Sequence, residues 1–132
     1  MNKKEMKYLT GRLGKLLKSN RCRLACAAIN FPEADGVYVI SKPSSKEGCL
    51  YVGMTGKGNS GGLRHRAYLH LHNNTKSDYR KKCKNKINET AREKTKRLGR
   101  HEIRCLEVRG KWLRTRLEYF AIAVLNPPLN RR

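Results

Sequence analysis

Two phenols, a guanidinium, an imidazole and a carboxylate stand at separated places in this sequence, and together they offer proton transfer, anion binding and cation binding. Tyr38 lies in Gly36-Val37-Tyr38 and Tyr51 in Tyr51-Val52-Gly53, each inside a short apolar run followed by a turn. Tyrosine favours strands on packing grounds alone, so either phenol taken singly has a purely structural reading. Neighbouring strands of a hairpin would bring both to one spot. Arg66 and His70 are four apart in a run of helical composition and so share a face, where a solvated polar pair is the simpler alternative. Glu118 is the sole acid of the apolar stretch 112–125, with Ala121 and Ile122 on its own face. A carboxylate there needs an arginine partner or a metal.

The elements that must position these groups follow from periodicity. Met6, Leu9, Leu13, Leu16 and Leu17 recur at helical spacing and predict an amphipathic helix over 3–18, and Leu24–Ile29 reads as a shorter helix ended by Pro32. Val37–Ile40 and Cys49–Val52 are strand-like and, with the loop 42–48 between them, predict an antiparallel hairpin. Residues 53–62 hold five glycines and read as a flexible connection, without the Gly-Lys-Ser/Thr ending of a nucleotide-binding phosphate loop. Helical composition returns over 63–71. A long basic helix is expected over 78–98 on a thin apolar line of Tyr79, Cys83, Ile87, Ala91 and Leu98, then a third strand over 101–108, then an apolar helix over 112–125 stopped by Pro127-Pro128. This order gives an α+β fold, a small sandwich on a three-stranded antiparallel sheet flanked by helices.

Charge bounds the partner. The chain of 132 residues carries 31 Lys/Arg against 10 Asp/Glu, a net charge of +21, which calls for a polyanion: nucleic acid or an anionic membrane. No stretch approaches the ~18 apolar residues a spanning helix needs, so no membrane role is expected. Residues 1–30 hold eight basic residues against one acid and residues 76–116 sixteen against five, whereas 31–75 are nearly balanced. The basic arms are therefore expected to hold the polyanion while the middle does something else. Lys57, Arg64, Arg80, Lys81, Lys82, Lys84 and Lys86 are the candidate nucleic-acid contacts, to phosphates rather than bases. No secretory signal is recognisable, and the five cysteines read as free thiols in a reducing, cytoplasmic setting. Zinc at Cys22-x3-Cys26 lacks a second close Cys/His pair.

Taken in order, Gly36-Val37-Tyr38, Tyr51-Val52-Gly53, Gly62-Leu63-x-x-Arg66-x-x-x-His70, Glu118 and Pro128-Leu129-Asn130 resemble the full signature of the GIY-YIG nucleases, over residues 36 to 130. The glycine loop and the Gly-Leu-x-x-Arg-x-x-x-His stretch resemble the restriction-endonuclease branch more than the homing-endonuclease one. Valine replaces isoleucine in both namesake tripeptides, which trims core volume only. Arg66 is favoured over Arg64 because it lies four before His70, and Asn130 over Asn126 because it follows Pro-x in the last motif.

The resemblance implies a metal-dependent endonuclease domain over 31–132 behind a basic helical N-terminal extension, 1–30. Its substrate would be DNA, double-stranded in the first instance, and its cofactor one divalent cation, Mg²⁺ with Mn²⁺ as the alternative. It implies catalytic roles for Tyr38, Tyr51, Arg66, His70, Glu118 and Asn130. Tyr38 would act as base or orient water, His70 relay the proton, and Tyr51 bind phosphate or water. Arg66 would grip the non-bridging oxygens with a fork that lysine cannot copy, Glu118 hold the metal, and Asn130 position the cluster. One site cuts one strand, so a double-strand break would need a homodimer or two events. The competing reading is a nucleic-acid-binding module of the same fold without catalysis.

Overall fold

The computed structural model describes residues 2–43, 48–56, 61–73 and 76–130. Its elements run α1 (Lys3–Lys18), β1 (Cys22–Arg23), α2 (Leu24–Asn30), β2 (Gly36–Ser41), β3 (Cys49–Met54), α3 (Gly62–His72), α4 (Asp78–Lys82), α5 (Ala91–Gly99), β4 (Glu102–Glu107) and α6 (Lys111–Leu125), closed by a 3₁₀ turn, Pro128–Asn130.

The sheet has four strands in the order β1-β4-β2-β3, all antiparallel, where the sequence predicts three. The extra strand is the two-residue β1, whose Cys22 and Arg23 pair with Ile103 and Glu102. It is too short to carry an alternating pattern, so only its partner strand defines it. The central strand β2 is buried at every position because it is hydrogen-bonded on both edges and covered on both faces.

Alternation along β2 divides the interior into two cores. Val37 and Val39 face Leu9, Leu13 and Leu16 of α1 and Leu117 and Ala121 of α6. Tyr38 and Ile40 face Leu24 and Ala27 of α2, Leu63, Ala67 and Leu71 of α3, Tyr79 of α4 and Leu98 of α5. The first thirty residues, expected as an N-terminal extension, thus supply side chains to both cores and a strand to the sheet. Each leucine that α1 buries contributes roughly 1.5–3 kcal/mol, and Asn2 caps the helix by accepting the Glu5 N–H at 2.8 Å.

The long basic helix of 78–98 is two short ones. α4 stops at Cys83, and α5 restarts behind a capping box in which Thr90 and Glu93 satisfy each other's backbone N–H groups. Between them Asn88 takes φ +61 and Ile87 is 95% exposed, so that part of the apolar line covers nothing.

Candidate active site

Three of the motif residues, Tyr38, Tyr51 and His70, meet on the face of the sheet that packs against α3 and α4. Tyr38 from the centre of β2 and Tyr51 from β3 present their rings on that face, with centroids 6.5 Å apart. His70, on the last turn of α3, packs against both, at 5.4 Å from Tyr38 and 5.8 Å from Tyr51. The Tyr38 hydroxyl and His70 Nε2 are hydrogen-bonded at 2.6 Å, and His70 Nδ1 meets Ser77 Oγ at 2.7 Å. Ser77 Oγ also accepts the Arg80 N–H at 2.9 Å, as the N-cap of α4. Tyr38, His70 and Ser77 are almost fully buried, whereas Tyr51, Arg66 and Glu118 are half-buried. The site therefore has an inner layer of proton-carrying groups and an outer layer open to a ligand.

Two motif glycines are dictated by this packing. The Tyr38 phenol lies across Gly53, and any Cβ at 53 would fall inside the ring. A Cβ on Gly36 would collide with the Leu106 carbonyl of β4 and, at 3.0 Å, with the Leu63 side chain.

Burial governs the titration of the inner layer. The Tyr38 phenol is held well above its ordinary value, by burial first and then by Tyr51 and the carboxylates Glu118 and Asp78; Arg66 opposes the shift and is outweighed. Tyr51 is pushed up to about 12, again mainly by burial, then by Asp78 and Glu118. Arg66 alone would favour phenolate at Tyr38, but desolvation wins. His70 falls to about 3 because burial and, second, the Arg66 charge disfavour imidazolium, so it is neutral at pH 7.

Arg66 is the guanidinium whose charge reaches Tyr38, Tyr51 and His70, and its Nη1 donates to the Lys76 carbonyl at 3.2 Å. Arg64 points elsewhere, donating to the Phe31 carbonyl at 2.6 Å and to Glu33 at 3.0 Å. Glu118 comes from α6 on the other face of the sheet, yet its charge is felt at both phenols because α6 packs against the edge strand β3. Asn130 does not touch the phenols. Its amide accepts the Val52 N–H at 2.7 Å and donates to the Val52 carbonyl at 2.9 Å, so it pairs with the outer edge of β3 like one residue of a further strand. Asn126 is the left-handed C-cap of α6.

Among the expected nucleic-acid contacts, Lys81, Lys84 and Lys86 are exposed, and Lys82 pairs with Asp78 at 3.2 Å. Lys57 lies outside the described residues. Arg80 is corrected: it is 2% exposed, with its guanidinium donating to the Leu71 carbonyl and, at 3.3 Å, to that of Ala91. It ties α3 and α5 to α4 through those carbonyls.

Sequence reasoning missed Ser77 and the second phenol–imidazole pair, Tyr79 with His101, which abuts His70 at 5.3 Å. The signal for Ser77 was its place as a hydroxyl just before a helix start, the N-cap preference. Nothing local marks Tyr79 or His101.

A cation here would meet hard oxygen donors. Glu118 and Asp78 are the carboxylates whose charge reaches the phenols, and among the described residues no group of three or more His, Cys, Asp or Glu gathers. That set fits Mg²⁺ or Mn²⁺, which accept one or two carboxylates with water completing the shell, and does not fit the closed nitrogen and sulfur cage of structural zinc.

A four-stranded antiparallel sheet between helical layers, with two phenols and an imidazole gathered on one face, defines the class to compare. No protein-family model matches the sequence, and no curated protein matches it. Solved structures do match in shape: the GIY-YIG N-terminal endonuclease domain of UvrC from Thermotoga maritima, in two point mutants that each replace a tyrosine by phenylalanine and are bound to its catalytic divalent cation. Each superposes with a TM-score of 0.54 at 18% identity, covering 83% of this chain and 96% of that one. The chain therefore has the GIY-YIG endonuclease fold.

Proposed function

We propose that this protein is a metal-dependent endonuclease that hydrolyses phosphodiester bonds of DNA. The observation that carries the reading is the Tyr38–His70–Ser77 hydrogen-bonded line, set behind Tyr51 and within the fields of both Arg66 and Glu118. What sets this pair apart from the buried Tyr79–His101 pair is the half-buried Arg66, Tyr51 and Glu118 beside it.

With Nδ1–H donating to Ser77 Oγ, His70 Nε2 is the acceptor for the Tyr38 hydroxyl. Tyr38 Oη can then take a proton from the attacking water as it passes its own to Nε2. In the protein alone this transfer is uphill, because the phenol sits well above 10 and the imidazole near 3. Glu118 would hold a divalent cation, which when bound would supply positive charge favouring phenolate and stabilising the departing 3′ oxygen. Arg66, half-buried beside the phenols, grips the non-bridging oxygens, and Tyr51 orients the phosphate or the water. Asn130 fixes the edge of β3 and with it the position of Tyr51.

Supercoiled plasmid incubated with the protein in Mg²⁺, in Mn²⁺ and in EDTA tests this. Nicking in either metal, absent in EDTA and absent in Glu118→Ala, is expected. DNA binding without nicking in any divalent metal supports the non-catalytic module instead.

A further inference from the structure

Away from the phenols, α4 and α5 enclose a notch of about 450 Å³ whose described lining includes Arg80, Lys81, Lys84, Asn85 and Lys94. No carboxylate lines it among the described residues. Lys94 is 8% exposed, and no side-chain hydrogen bond or ion pair holds its ammonium among the described residues. The groups that face it are the Arg80 and Arg97 guanidinium groups, the Cys83 thiol and Glu89. Glu89 is committed to Arg97, which donates to its two oxygens at 2.8 Å each. An ammonium at the wall of this notch beside the Arg80 guanidinium, with no free carboxylate among the described residues to pair it, favours an anion between them. Burial first, and Arg80 second, push the Lys94 pKa down, as expected for an ammonium without its counter-ion.

We propose that this notch binds a phosphate group of the nucleic-acid strand, on the flank of the bond being cut. Lys94 is the central point charge, Arg80 the cation behind it, Lys81 and Lys84 the rim, and the Asn85 amide a further donor. The inference rests on the endonuclease reading and adds a second phosphate position to it. Spacing supports the same strand. The N-cap of α4, Ser77, bonds His70, and the notch opens past the C-terminal end of the same helix. Five helical residues span about 7.5 Å at ~1.5 Å each, against ~3.4 Å of duplex axis per nucleotide. The notch phosphate is then within a few nucleotides of the scissile one along a strand.

The test uses the full chain, ¹⁵N-labelled and in EDTA so that nothing is cleaved, titrated at fixed ionic strength with inorganic phosphate and separately with a short DNA duplex. The amides of Lys84, Asn85 and Lys94 are expected to shift with both. The slope of log affinity against log salt, by fluorescence anisotropy, is expected to shrink by about 0.9 in Lys94→Met, the loss of one phosphate contact. Lys94→Met removes a repulsive charge and is expected to keep or raise Tm in phosphate-free buffer. Should it fail to fold, the exposed Lys84→Gln reads the same slope. Shifts with inorganic phosphate but not with duplex would make the notch a free-anion site and overturn the strand assignment. No shift with either ligand, or an unchanged salt slope, overturns the notch altogether. Cleavage plays no part in these readouts, so an inactive protein with a working notch is distinguished from an active one without it.

Discussion

Acidification should unfold this protein through two imidazoles. His70 is held at about 3 by burial and Arg66, and His101 at about 4 by burial, Arg97 and Lys42. Both would titrate near ~6.5 once unfolded. Because the folded values are depressed, the stability these groups confer is complete above the unfolded value and is lost as pH falls towards the folded ones. At pH 5 the unfolded chain binds nearly two more protons than the folded one, so stability should fall by about 2.5 kcal/mol per pH unit there. Integrated from pH 6.5 to 5 the loss is roughly 3 kcal/mol, a large share of a typical total of about 5–15. Stopping at pH 5 leaves out Glu89, whose carboxylate is lowered to about 2 by Arg97 and matters only in stronger acid. Urea unfolding followed by circular dichroism at pH 7.5, 6.5, 5.5 and 5 measures the slope directly. His70→Gln should reduce it by one proton. A slope below one proton in the parent, or no change in His70→Gln, would refute the burial argument.

Other perturbations address the geometry. Gly53→Ala forces the Tyr38 ring off its seat; cleavage should fall at least tenfold and urea unfolding should show a loss of about 1–3 kcal/mol. Asn130→Ala leaves the Val52 N–H and carbonyl on the β3 edge without their partner and should destabilise by about 1–3 kcal/mol, with exchange of the Val52 amide hydrogen accelerated. Arg66→Lys keeps the charge but loses the planar fork, so single-turnover cleavage should fall steeply while duplex affinity in EDTA changes little.

Much of this architecture was legible because its signals are local. The leucine spacing of α1 marks the helix over 3–18 as found, and the short apolar runs around Tyr38 and Tyr51 mark the hairpin. Where the reading failed, tertiary contacts decide. Cys22–Arg23 is a strand only because β4 lies beside it, and Ile87 fits a helical line that the φ +61 of Asn88 interrupts. Arg80 looks like one more cation of a basic run, but the Leu71 and Ala91 carbonyls draw its guanidinium inward. Within the site the motif order named the candidate side chains, while the depth at which each sits came from packing. Ser77 enters only because the chain after α3 folds back over His70, and desolvation of Tyr38 reverses the shift that its arginine neighbour alone would produce.

The most direct test of the account is the single-turnover cleavage rate of an end-labelled duplex in Mg²⁺ by the parent protein and by Tyr38→Phe, with duplex affinity measured in parallel in EDTA. Removing one hydroxyl from the buried line should lower the rate by roughly 10²–10⁴-fold and leave affinity within a few-fold. Equal rates in the two proteins would contradict proton transfer through Tyr38 and the site built around it.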